Sequence, residues 1–141
     1  MADKALLKKQ QERWGEAIAT GNLDALDDIL ADDFVDHDPG DQTPDREGVK
    51  NFFRGFRKAF PDLKPEVVKL HVSDDGYVAM RYNVSGTHQG EFMGHAPTGR
   101  RFETTAMQLA RFNDEGKCVE RWGTTDQLAI LQQLGLVDAE G

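Results

Sequence analysis

A chain of 141 residues, 38% of them apolar and 30% charged, can bury one sizeable core but not two, so residues 1–141 read as a single domain. The net charge of −8 comes with scattered lysines and arginines, which excludes a phosphate backbone, and hence nucleic acid, as a partner. No apolar run approaches the roughly 18 residues of a membrane span, and the opening MADKALLKKQQERW lacks the apolar stretch of a secretory signal. The expectation is therefore a cytoplasmic protein whose partners are small molecules or other proteins, with no membrane contact.

Residues 3–19 carry Leu7, Trp14 and Ile18 at helical spacing, and Gly21 and Asn22 supply a stop and a fresh cap. Leu23, Leu26, Ile29 and Leu30 predict a short second helix. Next come Phe34 and Val35, a strand-like pair, and a loop bearing Asp36, His37, Asp38 and Asp41 around Pro39 and Gly40. A third helix is predicted with Thr43 as cap, Pro44 at its first position, and Val49, Phe52, Phe53, Phe56 and Phe60 along one side. Pro61 ends it.

From here the period becomes two. Strands over 66–73 and 77–87 are joined by Ser73-Asp74-Asp75-Gly76, and strands over 100–112 and 117–126 by Asn113-Asp114-Glu115-Gly116. Between the hairpins, residues 88–99 hold three glycines with His88 and His95, and read as a mobile lid. No Lys-Ser/Thr pair follows them, which removes the phosphate-cradle reading. Leu128, Ile130, Leu131 and Leu134 predict a closing helix over 126–135.

Helices first and antiparallel strands after make an α+β fold in which helices cover the concave face of a curved sheet and leave a pocket. Trp14, Phe52, Phe53 and Phe56 are available to line it. The sheet's outer face is left free, which predicts a homodimer through that face. Either Arg81 or Tyr82 must point inward, and parity leaves both possible.

Chemistry concentrates in the strand VERWGTTDQL, residues 119–128. Alternation puts Glu120, Trp122, Thr124 and Asp126 on one face and Arg121, Gly123 and Thr125 on the other. If the tryptophan face closes the pocket, desolvation turns Asp126 into a usable base, although Asp126 also reads as the cap of the closing helix. His37 suits proton transfer in either direction. Asp36, His37 and Asp38 are adjacent and splay apart on a strand, so no metal is expected. Cys118 reads as a small buried hydrophobe.

Taken in this order and spacing, FVDHDPG (34–40), REGVKNFFRGFRKAFPDL (46–63), SGTHQGEFMGHAPTGRRF (85–102) and GKCVERWGTTDQLAILQQLG (116–135) resemble the SnoaL-like polyketide cyclases, within the nuclear-transport-factor-two-like group. The resemblance spans nearly the whole chain. It implies a cone-shaped barrel, a highly curved antiparallel or mixed sheet with N-terminal helices on its concave face. It also implies a cofactor-free intramolecular aldol cyclisation run by an acid/base aspartate, matched by Asp126, and a histidine, matched by His37. Trp14, Phe53, Phe56, Trp122 and Gln108 are then the substrate contacts. Gln108 and Ala110 stand where a second family histidine is sought. Because one fold hosts many reactions, a related isomerase, dehydratase or hydrolase, or a binding module without turnover, is the alternative reading.

Overall fold

The structure, a computed structural model, describes residues 3–137. Helix α1 spans Lys4–Thr20; the Asp3 carboxylate accepts the Leu6 N–H at its start, and Gly21, at φ 82°, ends it in the left-handed region. Its apolar stripe buries Leu7, Trp14 and Ala17. The expected second helix is instead a 3-10 turn, Leu23–Asp28. Three residues per turn place Leu23 and Leu26 on one side, and both are buried.

Strand β1, Leu30–Asp36, is longer than the two-residue piece expected. Helix α2, Arg46–Ala59, is capped by Asp45 rather than Thr43. The Asp45 carboxylate accepts the Gly48 N–H at 2.9 Å and the Thr43 hydroxyl at 2.7 Å. The Thr43 bond, then the Gly48 bond, hold its carboxyl below the usual value, and Thr43 becomes the support of the cap. Residue 48 must be glycine here, since a Cβ would lie 1.8 Å from the Thr43 carbonyl oxygen.

The sheet runs in the order β1-β5-β4-β3-β2, with β2 Lys64–Val72, β3 Tyr77–Thr87, β4 Arg101–Phe112 and β5 Cys118–Thr125. The last four strands form an antiparallel meander, and β1 adds to β5 in parallel, which makes the sheet mixed. Bulges at Val67/Lys69 and Arg111/Phe112 add local bend and twist. Both hairpins turn where the sequence predicts. Helix α3, Gln127–Gln133, follows β5 directly and buries Ile130. Among the described residues, no helix is long and apolar enough to cross a membrane.

The 88–100 segment is not a free lid. His88 is fully buried, its Nδ1 accepts the Thr98 N–H at 3.1 Å, and Gln89 and Gly90 donate to the Ala59 carbonyl at the end of α2. Phe92 stacks on Phe56 at 5.9 Å. Glycine-rich composition here reflects close docking: a Cβ on Gly90 would meet the Lys58 carbonyl oxygen at 2.2 Å.

Candidate active site

Between the helices and the concave sheet face lies a cavity of about 710 Å³, within the range of small-molecule sites. Trp14 and Ile18 of α1, Phe52, Phe53 and Phe56 of α2, and Met80 and Val84 of β3 supply its apolar wall. The opposite wall is polar, and strand register explains why. Across the sheet, Val78, Ala110, Arg121 and Asp36 form one inward row, and Met80, Gln108 and Gly123 the next. Tyr82, Ala106 and Thr125 follow.

A largely buried charge persists only when paired and hydrogen-bonded, and Arg121, whose side chain is 16% exposed, meets both conditions. Its Nη1 donates to both carboxylate oxygens of Asp36 at 2.9 Å, and its Nε donates to Gln108 Oε1 at 3.0 Å. Gln108 Nε2 in turn donates to Gln11 Oε1 at 3.4 Å. Asp36, Gln108 and Gln11 are each under a tenth exposed. Asp38 leaves the end of β1, and its Oδ2 accepts the Gly123 N–H at 2.9 Å. Burial pushes the Tyr82 phenol up, against the opposing Arg121 charge and the Thr125 hydrogen bond. Tyr82 therefore keeps its proton near neutrality. The cavity can hold an apolar body by one oxygen-bearing end, with hydrogen-bond donors and carboxylates at that end.

Among the residues singled out from sequence, Trp14, Phe53, Phe56 and Gln108 line the cavity, and Phe52 joins them. Trp122 does not. The inward face of β5 is that of Arg121, Gly123 and Thr125, the reverse of the face assumed from the tryptophan. Trp122 lies on the convex side, where His37 stacks on it at 4.5 Å with the rings 6° from parallel. His37 is more than a third exposed and 4.0 Å from Glu120. Asp126 is exposed and caps α3, accepting the Ala129 N–H at 3.0 Å. Neither His37 nor Asp126 is part of the cavity lining. Of Arg81 and Tyr82, Tyr82 faces inward and Arg81 is exposed.

Sequence reasoning passed over Asp36, Asp38, Arg121, Gly123 and Tyr82 as site residues. The available signal was the alternation itself: Arg121, Gly123 and Thr125 share a face, so choosing that face would have named the polar wall.

Comparison with known proteins agrees with this architecture. The chain is similar to IdmH of Streptomyces antibioticus, provisionally classed as a polyketide cyclase, at 36% identity and a TM-score of 0.81 over 92% of this chain and 98% of that one. It is similar to TsrD of Streptomyces laurentii at 25% identity and a TM-score of 0.87, over 97% and 100%. AclR of Streptomyces galilaeus, provisionally classed as a hydroxylase, matches at 32% identity and a TM-score of 0.85, over 96% and 85%. Among curated proteins no match was found. The family model described as SnoaL-like polyketide cyclase matches residues 8–134, and the chain belongs to that family.

Proposed function

We propose that the protein is a cofactor-free acid/base enzyme that converts a small, mostly apolar, carbonyl-bearing molecule inside the cone, in the manner of an intramolecular aldol cyclisation. The observation that carries this reading is the two-sided cavity: aromatic rings on α1 and α2 face a polar wall of Gln108, Arg121, Asp36 and Tyr82. The apolar wall desolvates the ligand, and the polar wall holds its oxygen as charge develops. Family membership supports the reaction class. The aldol reading places the chemistry within the cavity and leaves Asp126 and His37 outside it.

The test is turnover of a panel of linear β-dicarbonyl esters that carry a further ketone, followed by proton NMR, which separates the cyclised product from its substrate of equal mass. Met80→Trp, which fills the cavity, is expected to lower kcat/KM by at least 100-fold, while Asp126→Asn and His37→Asn stay within about twofold of wild type. Retained turnover in Met80→Trp would refute the cavity as the site. Tight binding of the panel without conversion would favour a binding module of the same fold.

We further propose a homodimer through the convex sheet face. Val35, Met107 and Leu109 are exposed there by 43%, 52% and 38% beside the Trp122–His37 stack, and such apolar patches mark protein contacts.

A further inference from the structure

Arg121 is held with two of its three nitrogens occupied: Nη1 by Asp36 and Nε by Gln108. Its Nη2 has no protein partner among the described residues, and the side chain lines the cavity. What keeps this nitrogen in place is the residue two positions on. A Cβ on Gly123 would lie 1.8 Å from Nη2 and 2.8 Å from Cζ, so the guanidinium occupies the space of the missing side chain. Gly123 has no positive φ, and its strand conformation is open to any residue; glycine serves here by its bare face.

The same glycine anchors a carboxylate. Asp38 Oδ2 accepts the Gly123 N–H at 2.9 Å, and Oδ1 has no protein partner among the described residues. Arg121 spends its ion pair on Asp36, so Asp38 and Arg121 Nη2 stand near one backbone position, both available to a ligand.

We infer that Arg121 Nη2 holds the reacting carbonyl oxygen of the substrate and Asp38 Oδ1 takes the neighbouring proton, with Gly123 as the socket that lets both converge. This rests on the cavity reading above and adds the atoms and the substrate class, a neutral 1,3-dicarbonyl compound. The C–H bond between the two carbonyls breaks, its proton passes to Asp38, and its electron pair forms an enolate whose oxygen accepts from Arg121. The enolate carbon then bonds to the carbon of a third carbonyl further along the same molecule, whose C=O π bond opens, and the resulting alkoxide takes the proton back from Asp38. No other reagent is consumed. Asp36 neutralises the guanidinium, and Glu12, Glu16 and Asp38 add negative charge to the lining, which disfavours substrates that arrive as anions. Asp36 and Gln108 are positioning residues.

The experiment measures kcat and KM on an active 1,3-dicarbonyl ester, and binding of 2-hydroxy-1,4-naphthoquinone, an enolate mimic, by titration calorimetry. Gly123→Ala, which displaces the guanidinium without touching the backbone, is expected to weaken mimic binding at least tenfold. The double variant Asp36→Asn/Arg121→Gln, which leaves no buried charge unpaired, should do the same. Asp38→Asn should bind the mimic at least as tightly as wild type while kcat falls at least 100-fold. Thermal melts establish that each variant is folded. Mimic binding unchanged in both Gly123→Ala and the double variant, or wild-type kcat in Asp38→Asn, overturns the assignment and leaves the cavity reading standing. A wild-type protein that neither binds the mimic nor converts any dicarbonyl ester overturns both.

Discussion

Lys50 shows how one side chain can decide a local charge balance. The residue is 4% exposed, and its ammonium lies 3.2 Å from Asp27, 3.3 Å from Asp24 and 3.4 Å from Glu47. Burial pulls its pKa down, but the Asp27 and Asp24 bonds outweigh that pull and raise it above the ordinary 10.5. Burial likewise raises the Tyr82 phenol above 10.0 and the Cys118 thiol from 9.0 to about 12. In all three the unfolded chain releases its proton first. Their contribution is therefore complete below the unfolded values and is lost as pH rises through the folded ones. The urea midpoint is expected to hold steady from neutrality to about pH 9 and to fall between about pH 9 and 12. Lys50→Met should cost about 1 kcal/mol at pH 7 and should flatten the part of that fall above the lysine's ordinary value, as measured by urea titrations at stepped pH.

At the scale of elements, α3 shows the structural part that a motif residue plays. Asp126 ends the run that suggested a catalytic carboxylate, yet it faces solvent and caps seven helical residues whose one fully buried member is Ile130. Asp126→Ala is expected to cost about 1 kcal/mol in thermal or urea unfolding, with Asp126→Asn near wild type because asparagine caps equally well. Hairpins, helix spans and the change of period from 3.6 to 2 were legible because turn chemistry and hydrophobic spacing are local properties. The inward face of β5 was not. It depends on partners far along the chain: Arg121 can turn inward because Asp36, 85 residues away, and Gln108, 13 residues away, accept its hydrogen bonds. An aromatic side chain seemed the better candidate for the interior, whereas Trp122 finds its apolar contact outside, on His37.

For the whole molecule, the concave and convex faces of one sheet carry different duties. The concave face holds the polar wall of the cavity. The convex face presents Leu109 between Ala79 and Trp122 in register, with Met107 one row on. If that patch joins two copies, Leu109→Glu places two like charges at its centre and is expected to shift the protein from dimer to monomer in sedimentation or light scattering at micromolar concentration. A wild-type monomer at the same concentration would remove the dimer. The cavity is bounded by residues of one chain, so its chemistry is expected to survive that dissociation.

The parallel pairing of β1 with β5 also has a temporal meaning. The meander from β2 to β5 links neighbours in sequence, through two tight turns and the 88–100 segment, but β1 meets its strand partner among the described residues across more than eighty residues, the span of the Asp36–Arg121 pair. Contacts of such long range pay the largest loop-closure entropy before they return any stabilisation. The polar wall is thus expected to be the last part of the sheet to assemble and the first to open, so that in pulsed hydrogen exchange the β1–β5 amides gain protection after those of the β2–β5 meander.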